Sequence, residues 1–195
     1  MSTHQGDADG MKSLGLIIIG LMALVLLWFG LAFNRLVRSK NRLKEAWSGI
    51  DVQLKRRHDL VPVLVSCVKG YQTHERTLLE NLTLARSQAV AAQGIEQAGV
   101  AENGLARSLR SVIAVAEAYP ELKANQTFQQ LSVNLVEIED QLQYARRYYN
   151  GSVRDYNILV ESFPSLLAAR LFGFAGASYF EIESAVERLA PEVKL

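Results

Sequence analysis

The side chains best equipped for chemistry are two histidine–carboxylate neighbours, His58–Asp59 and His74–Glu75, with one cysteine, Cys67, between them. A histidine beside a carboxylate can serve as a general base or contribute to the metal centre of a hydrolase. A helical zinc site needs two imidazoles on one face, as at i and i+4, and no two histidines here lie closer than sixteen residues. The cluster Arg146, Arg147, Tyr148, Tyr149, Asn150 has no ligand spacing either. The chain also lacks G-x-S-x-G, a phosphate loop, G-x-G-x-x-G and a kinase signature, so acyl and phosphoryl transfer have no carriers. Asp59 reads instead as a helix-capping carboxylate ahead of the turn led by Pro62. Cys67, in the apolar run LVPVLVSCV, reads as a small buried thiol in a reducing compartment. No catalytic, metal-ligating or cofactor-binding residue is assigned, and neither a cofactor nor a small-molecule substrate is expected.

The elements that would position these groups begin with Leu14 to Phe33, twenty residues without a charge. At ~1.5 Å per helical residue this run spans about 30 Å of hydrocarbon. Its leader carries Asp7 and Asp9 against Lys12, and its exit lacks a small-residue cleavage pattern, so the run reads as a retained transmembrane anchor. Arg35, Arg38, Lys40, Arg42 and Lys44 follow it, opposed only by Glu45. That excess of basic residues places the C-terminal part in the cytoplasm and the N-terminus outside, in a single-pass membrane protein. Residues 1–13 are too polar to offset the entropy of ordering and are expected to form a disordered extracytoplasmic leader. The chain has 21 Lys plus Arg against 20 Asp plus Glu, a formal charge of +1, which argues against a nucleic-acid partner.

The remainder predicts an all-α fold in which the anchor continues into an antiparallel four-helix bundle over residues 34–190, with two long and two short helices and a tail at 191–195. Leu36, Leu43, Trp47, Ile50 and Leu54 continue the first helix, which Pro62 kinks and Gly70 ends, with Thr73 capping the next. A second helix is expected over about 74–92, with Gly94 and Gly99 in the following loop, and a third over about 105–119, stopped by Pro120. The fourth carries Phe128, Leu131, Leu135, Ile138, Leu142, Ala145, Tyr149, Tyr156 and Phe163 at three-to-four spacing, is capped by Asn125 and broken by Pro164. Two outward and two inward legs nearly cancel in length, returning Pro164 to the membrane plane. The next stretch, SLLAARLFGF, presents Leu166, Leu167, Leu171, Phe172 and Phe174 as a candidate interface. They form either an apolar hairpin or lid over the bundle end, or a contact with lipid or a neighbouring subunit.

Four blocks, NRLVRSKNRLKEAWSGIDVQLKRRHDLVPVLVSCVKGYQTHE, LRSVIAVAEAYPELKANQTF, ARRYYNGSVRDYN and SFPSLLAARLFGF, resemble in order the LemA family of bacterial membrane proteins. The resemblance implies an N-terminal transmembrane helix, a four-helix bundle and involvement with the bacterial envelope, and no reaction. The functional expectation is a non-enzymatic membrane-anchored scaffold or assembly protein, with the lipid bilayer and protein partners or its own copies as ligands. The alternatives are a regulatory partner of another envelope protein, or a metal-dependent hydrolase using His58, Asp59, His74 or Glu75.

Overall fold

The computed structural model describes the backbone of residues 3–69 and 76–181, with side chains from residue 14. Gly70, Thr73, His74, Glu75 and the tail at 191–195 lie outside the described residues. The elements are α1 (Thr3–Lys69), α2 (Arg76–Ala91), α3 (Ile95–Glu117), the single turn α4 (Pro120–Lys123), α5 (Gln126–Glu161) and α6 (Ser165–Leu171), with no strand among the described residues. The fold is all-α, with one long apolar N-terminal helix.

α1 carries the apolar run and continues unbroken through Pro62 to Lys69. Pro62 lacks the N–H that would bond the His58 carbonyl in a regular helix, and that carbonyl instead accepts a hydrogen bond from Arg86 Nε of α2 at 2.8 Å. Because the helix does not stop there, Asp59 is an exposed mid-helix residue and caps nothing, contrary to the sequence reading. The backbone is also helical from Thr3, where a disordered leader is expected. Propagating an existing helix costs far less than nucleating one, so polar residues can extend from the apolar run.

The chain divides into two compact units. One contains Leu43–Val153 and Ser178–Leu195, the other Met1–Arg42 and Arg154–Ala177. The first unit is built around one core to which every helix passing through it contributes: Leu64 and Val68 from α1, Leu79 and Leu82 from α2, Leu105 and Val112 from α3, Leu122 from α4, and Phe128 and Leu131 from α5. α1 and α5 are antiparallel here, because partners on α5 rise in number as those on α1 fall: Cys67 Sγ lies 3.9 Å from Asn125 Oδ1, Arg57 Nη1 is 3.2 Å from Glu139, and the Trp47 ring is 5.5 Å from that of Tyr149. Asn125 caps α5 as expected, its Oδ1 accepting the Phe128 N–H at 3.1 Å.

α3 begins ten residues before its expected start at Leu105. Gly94 is indeed a breaker, with φ of 79° just ahead of the helix. Gly99 is not in a loop but buried in α3, where a Cβ would stand 2.8 Å from the Glu181 carbonyl oxygen. It is glycine because another backbone crosses at that point. Gly104, in the same helix, has nothing within 4 Å of a built Cβ. Replacing Gly104 by Ala is therefore expected to stabilise the bundle by about 0.5–1 kcal/mol, the ordinary cost of a helical glycine. Gly99→Ala is expected to destabilise it despite the same gain in helix propensity. Urea denaturation of both variants checks the opposite signs.

Candidate membrane-proximal interface

Within the unit of Met1–Arg42 and Arg154–Ala177, the end of the apolar run and the residues following it are brought against α6 and the chain after it. Phe33 packs edge-on against Phe172 at 4.8 Å and against Phe174 at 5.9 Å between ring centroids. Lys40 Nζ sits 5.5 Å from the centre of the Phe174 ring, a cation–π arrangement. α6 buries Ala168 and Ala169 and turns its large side chains out: Leu167 is 49% exposed, Leu171 68% and Phe172 47%. Leu166 and Phe174 are half-buried. Phe163, expected to continue the inward stripe of α5, is 80% exposed, because α5 ends at Glu161 before the stripe reaches it. Of the five basic residues after the run, Arg35, Arg38 and Arg42 line one cavity, Lys40 takes the ring contact, and Lys44 is exposed on α1.

The anchor run stands bare. Only 6% of its most apolar window is buried, whereas the core helix of a soluble protein would be mostly covered, and it is the one helix among the described residues long and apolar enough to cross a membrane.

Beyond Phe174 the chain is extended and is held by side chains of α5. Tyr156 donates its hydroxyl to the Ala175 carbonyl at 3.0 Å. Asn157 pairs with both backbone groups of Ala177, donating from Nδ2 at 3.0 Å and accepting at Oδ1 at 2.8 Å. In the other unit the same pattern recurs one heptad earlier. Tyr149 donates to the Ser178 carbonyl at 3.0 Å, and Asn150 closes the two-bond pair with Phe180 at 3.1 and 2.9 Å. The Phe180 ring is fully buried, 5.2 Å from that of Trp47. The Tyr–Asn part of the Arg146–Asn150 cluster is thus a backbone clamp, while Arg147 lies over the exposed Tyr144 ring at 4.6 Å. Burial raises the phenol pKa of both Tyr149 and Tyr156, keeping them as donors.

The candidate hydrolase residues are arranged differently from their order in the sequence. His58 meets not Asp59 but Glu102 of α3, with Nε2 at 2.6 Å from Oε1. The other oxygen of Glu102 takes a very close ion pair with the Arg57 guanidinium. Arg57, 2% exposed, reaches Glu139 as well at 3.2 Å, and Arg86 Nε donates to the His58 carbonyl at 2.8 Å. Burial pushes the Glu102 carboxyl up, but the His58 hydrogen bond and the charges of Arg57 and His58 outweigh it and hold the carboxyl below its ordinary value. Both oxygens are occupied, so this carboxylate is not a free base. The adjoining cavity of about 380 Å³, lined by Trp47, Asp51 and Ala98 among others, has no hydroxyl or thiol nucleophile in its wall. Among the described residues no three His, Cys, Asp or Glu side chains converge as a metal site. Cys67 is partly buried, and desolvation raises its thiol pKa away from reactivity.

The Glu102 centre makes acid sensitivity testable. Its folded pKa lies below the ordinary 4.5, so the unfolded chain binds the proton first. The stabilisation is complete above that ordinary value and is lost as pH falls through it to the lower folded value. Glu102→Gln, which leaves buried Arg57 with only the half-exposed Glu139 as counter-charge, is expected to cost up to about 3–5 kcal/mol at neutral pH. It should also flatten the acid limb of stability measured by urea midpoints between pH 7 and 3.

The chain is 25% identical over 175 residues to magnetosome protein MamQ 2 of Paramagnetospirillum magneticum, covering 76% of this chain and 64% of the relative. It is 22% identical over 174 residues to magnetosome protein MamQ of Magnetospirillum gryphiswaldense, with the same coverage. The chain thus spans somewhat under two thirds of the length of these relatives. Protein LemA of Metamycoplasma hominis is 26% identical over 157 residues, covering 80% of this chain and 71% of the relative. The profile of the LemA family matches residues 46–195, which takes in the buried Arg57–Glu102 centre, the Tyr–Asn clamp and α6, and the chain belongs to that family.

Proposed function

We propose that the protein is a non-enzymatic, membrane-anchored helical scaffold of the bacterial envelope that assembles with its own copies or with protein partners through the exposed face of α6. The observation that carries this reading is the outward row Phe163, Leu167, Leu171 and Phe172 beside the end of the apolar run. Each such side chain removed from water contributes about 1.5–3 kcal/mol, enough for an interface and too little to anchor a protein alone. The names of the relatives state no reaction, and the polar clusters described above are occupied holding the fold. The five basic residues at 35–44 favour the bundle on the cytoplasmic face of the plasma membrane, with the N-terminus outside.

Phe172→Asp is expected to leave the protein helical and in the membrane fraction while lowering the mass of its detergent-solubilised complex, read by light scattering. Loss of helicity in that variant would make α6 a core lid instead. Topology is checked separately: a reporter active only in the cytoplasm, fused after Leu195, should be active, and activity of a periplasmic reporter at the same position would reverse the orientation.

A further inference from the structure

Arg35, Arg38 and Arg42 recur at i, i+3 and i+7, so their side chains fall on one face of α1. They line a cavity of about 530 Å³ whose remaining wall includes Ser39, Asp155, Ile158 and Leu159. None of them is held in an ion pair by the described protein. Arg38 Nε donates to the Asn34 carbonyl at 3.3 Å, and among the described residues none of the three arginines has a carboxylate within ion-pair distance. The one acid in the wall, Asp155, is engaged by its neighbour Arg154 at 3.3 Å.

A second cavity, of about 370 Å³, shares Arg35, Ile158 and Leu159 with the first and therefore lies directly beside it. Its other walls are mostly apolar, with Trp28, Leu31, Leu36 and Phe163 among them. Trp28 and Leu31 belong to the anchor run and Arg38 and Arg42 follow it, so the pair of cavities passes from apolar to cationic in the same direction as the helix leaves the apolar segment. A free anion would use only the first chamber, and a hydrocarbon only the second. A molecule with a phosphate at one end and an acyl chain at the other uses both.

We propose that this double cavity binds an anionic phospholipid, its headgroup phosphate on Arg35, Arg38 and Arg42 and an acyl chain along Trp28, Leu31 and Phe163. The proposal rests on the membrane-anchor reading and adds to it one seated lipid. The three guanidiniums offer paired N–H donors suited to phosphate oxygens. Arg35, at the junction of the two chambers, marks the level at which headgroup gives way to chain. Lys40 and Lys44 lie in the same basic segment but line neither cavity, so they separate a built site from a general basic surface.

The test is native mass spectrometry of the full chain released from detergent containing phosphatidylglycerol, with phosphatidylcholine in parallel. The expected result is retained phosphatidylglycerol at one molecule per chain and no retained phosphatidylcholine. R38Q/R42Q is expected to weaken retention by about tenfold or more, ~1.4 kcal/mol, whereas K40Q/K44Q, with the same loss of charge, stays within about twofold. Equal losses in the two variants, or no loss in either, would overturn the proposal. Displacement of the lipid by inorganic phosphate at equal concentration would overturn it in favour of a free-anion site. Membrane fractionation of the same variants reports on the anchor independently: a protein found in the soluble fraction refutes the anchor, and a membrane-bound protein that retains no lipid refutes only the seated lipid.

Discussion

One carboxylate ties together the helices of the larger unit. Glu102 is 1% exposed and holds Arg57 and His58, consecutive residues of α1, on its two oxygens. Arg57 carries the connection to Glu139 on α5, and Arg86 of α2 bonds the backbone at His58. Four helices are thereby tied to one buried charge. An apolar core tolerates a helix sliding by a turn at the cost of some packing, whereas a displaced Arg57 would leave an ionised group in a low-dielectric interior. The centre therefore contributes register more than net stability. Arg57 Nε has no hydrogen-bond partner among the described residues, so even this well-connected side chain carries a desolvation cost.

The same economy governs the extended chain after Phe174. An isolated strand has no ladder to satisfy its backbone, and burying it bare would be costly. Asn150 and Asn157 replace the missing ladder with side-chain amides that present a donor and an acceptor to one residue each, as a neighbouring strand would. Tyr149 and Tyr156 take carbonyls that remain. Because the bonds go to the backbone, the sequence of the held segment is free except where a ring fills a pocket, as Phe180 does beside Trp47, and where Gly99 lets the carbonyl of Glu181 pass.

Periodicity made the helices legible, since apolar residues at three-to-four spacing have one place to go. Leu105, Leu109, Val112 and Ala116 are buried as their spacing requires, and α5 follows its stripe from Phe128 to Tyr156. What periodicity could not rank was a charge on the stripe. Arg57 stands in step with Ile50, Leu54, Val61 and Leu64, and Glu102 precedes Leu105 by three, yet residue types alone suggest that both face water. Their joint position on inward faces was the available signal. Adjacency misled in the other direction: His58 and Asp59 are neighbours in sequence but project about 100° apart around a helix, and the carboxylate that matters comes from α3. Gly99 reads as a loop residue because close approach by another backbone leaves no mark in the local sequence. The Tyr–Asn repeat at 149–150 and 156–157 was visible as letters, but its role required the strap it holds.

α6 inverts the usual partition of a surface helix. A short helix on a water-soluble domain turns its large apolar residues inward and leaves alanine and polar residues outside. Here Ala168 and Ala169 are fully buried, which lets the backbone of α6 approach its neighbours closely, while Leu167, Leu171 and Phe172 face away with Arg170 the one charge among them. Leaving that set in water forgoes several kcal/mol, comparable with the whole stability of a small domain. Among the described residues nothing covers the outward row, and the small residues already supply the packing. An apolar partner surface beyond α6, as proposed above, would recover that cost, and Phe33, at the end of the bare anchor run and in ring contact with Phe172, would lie at the edge of the same contact.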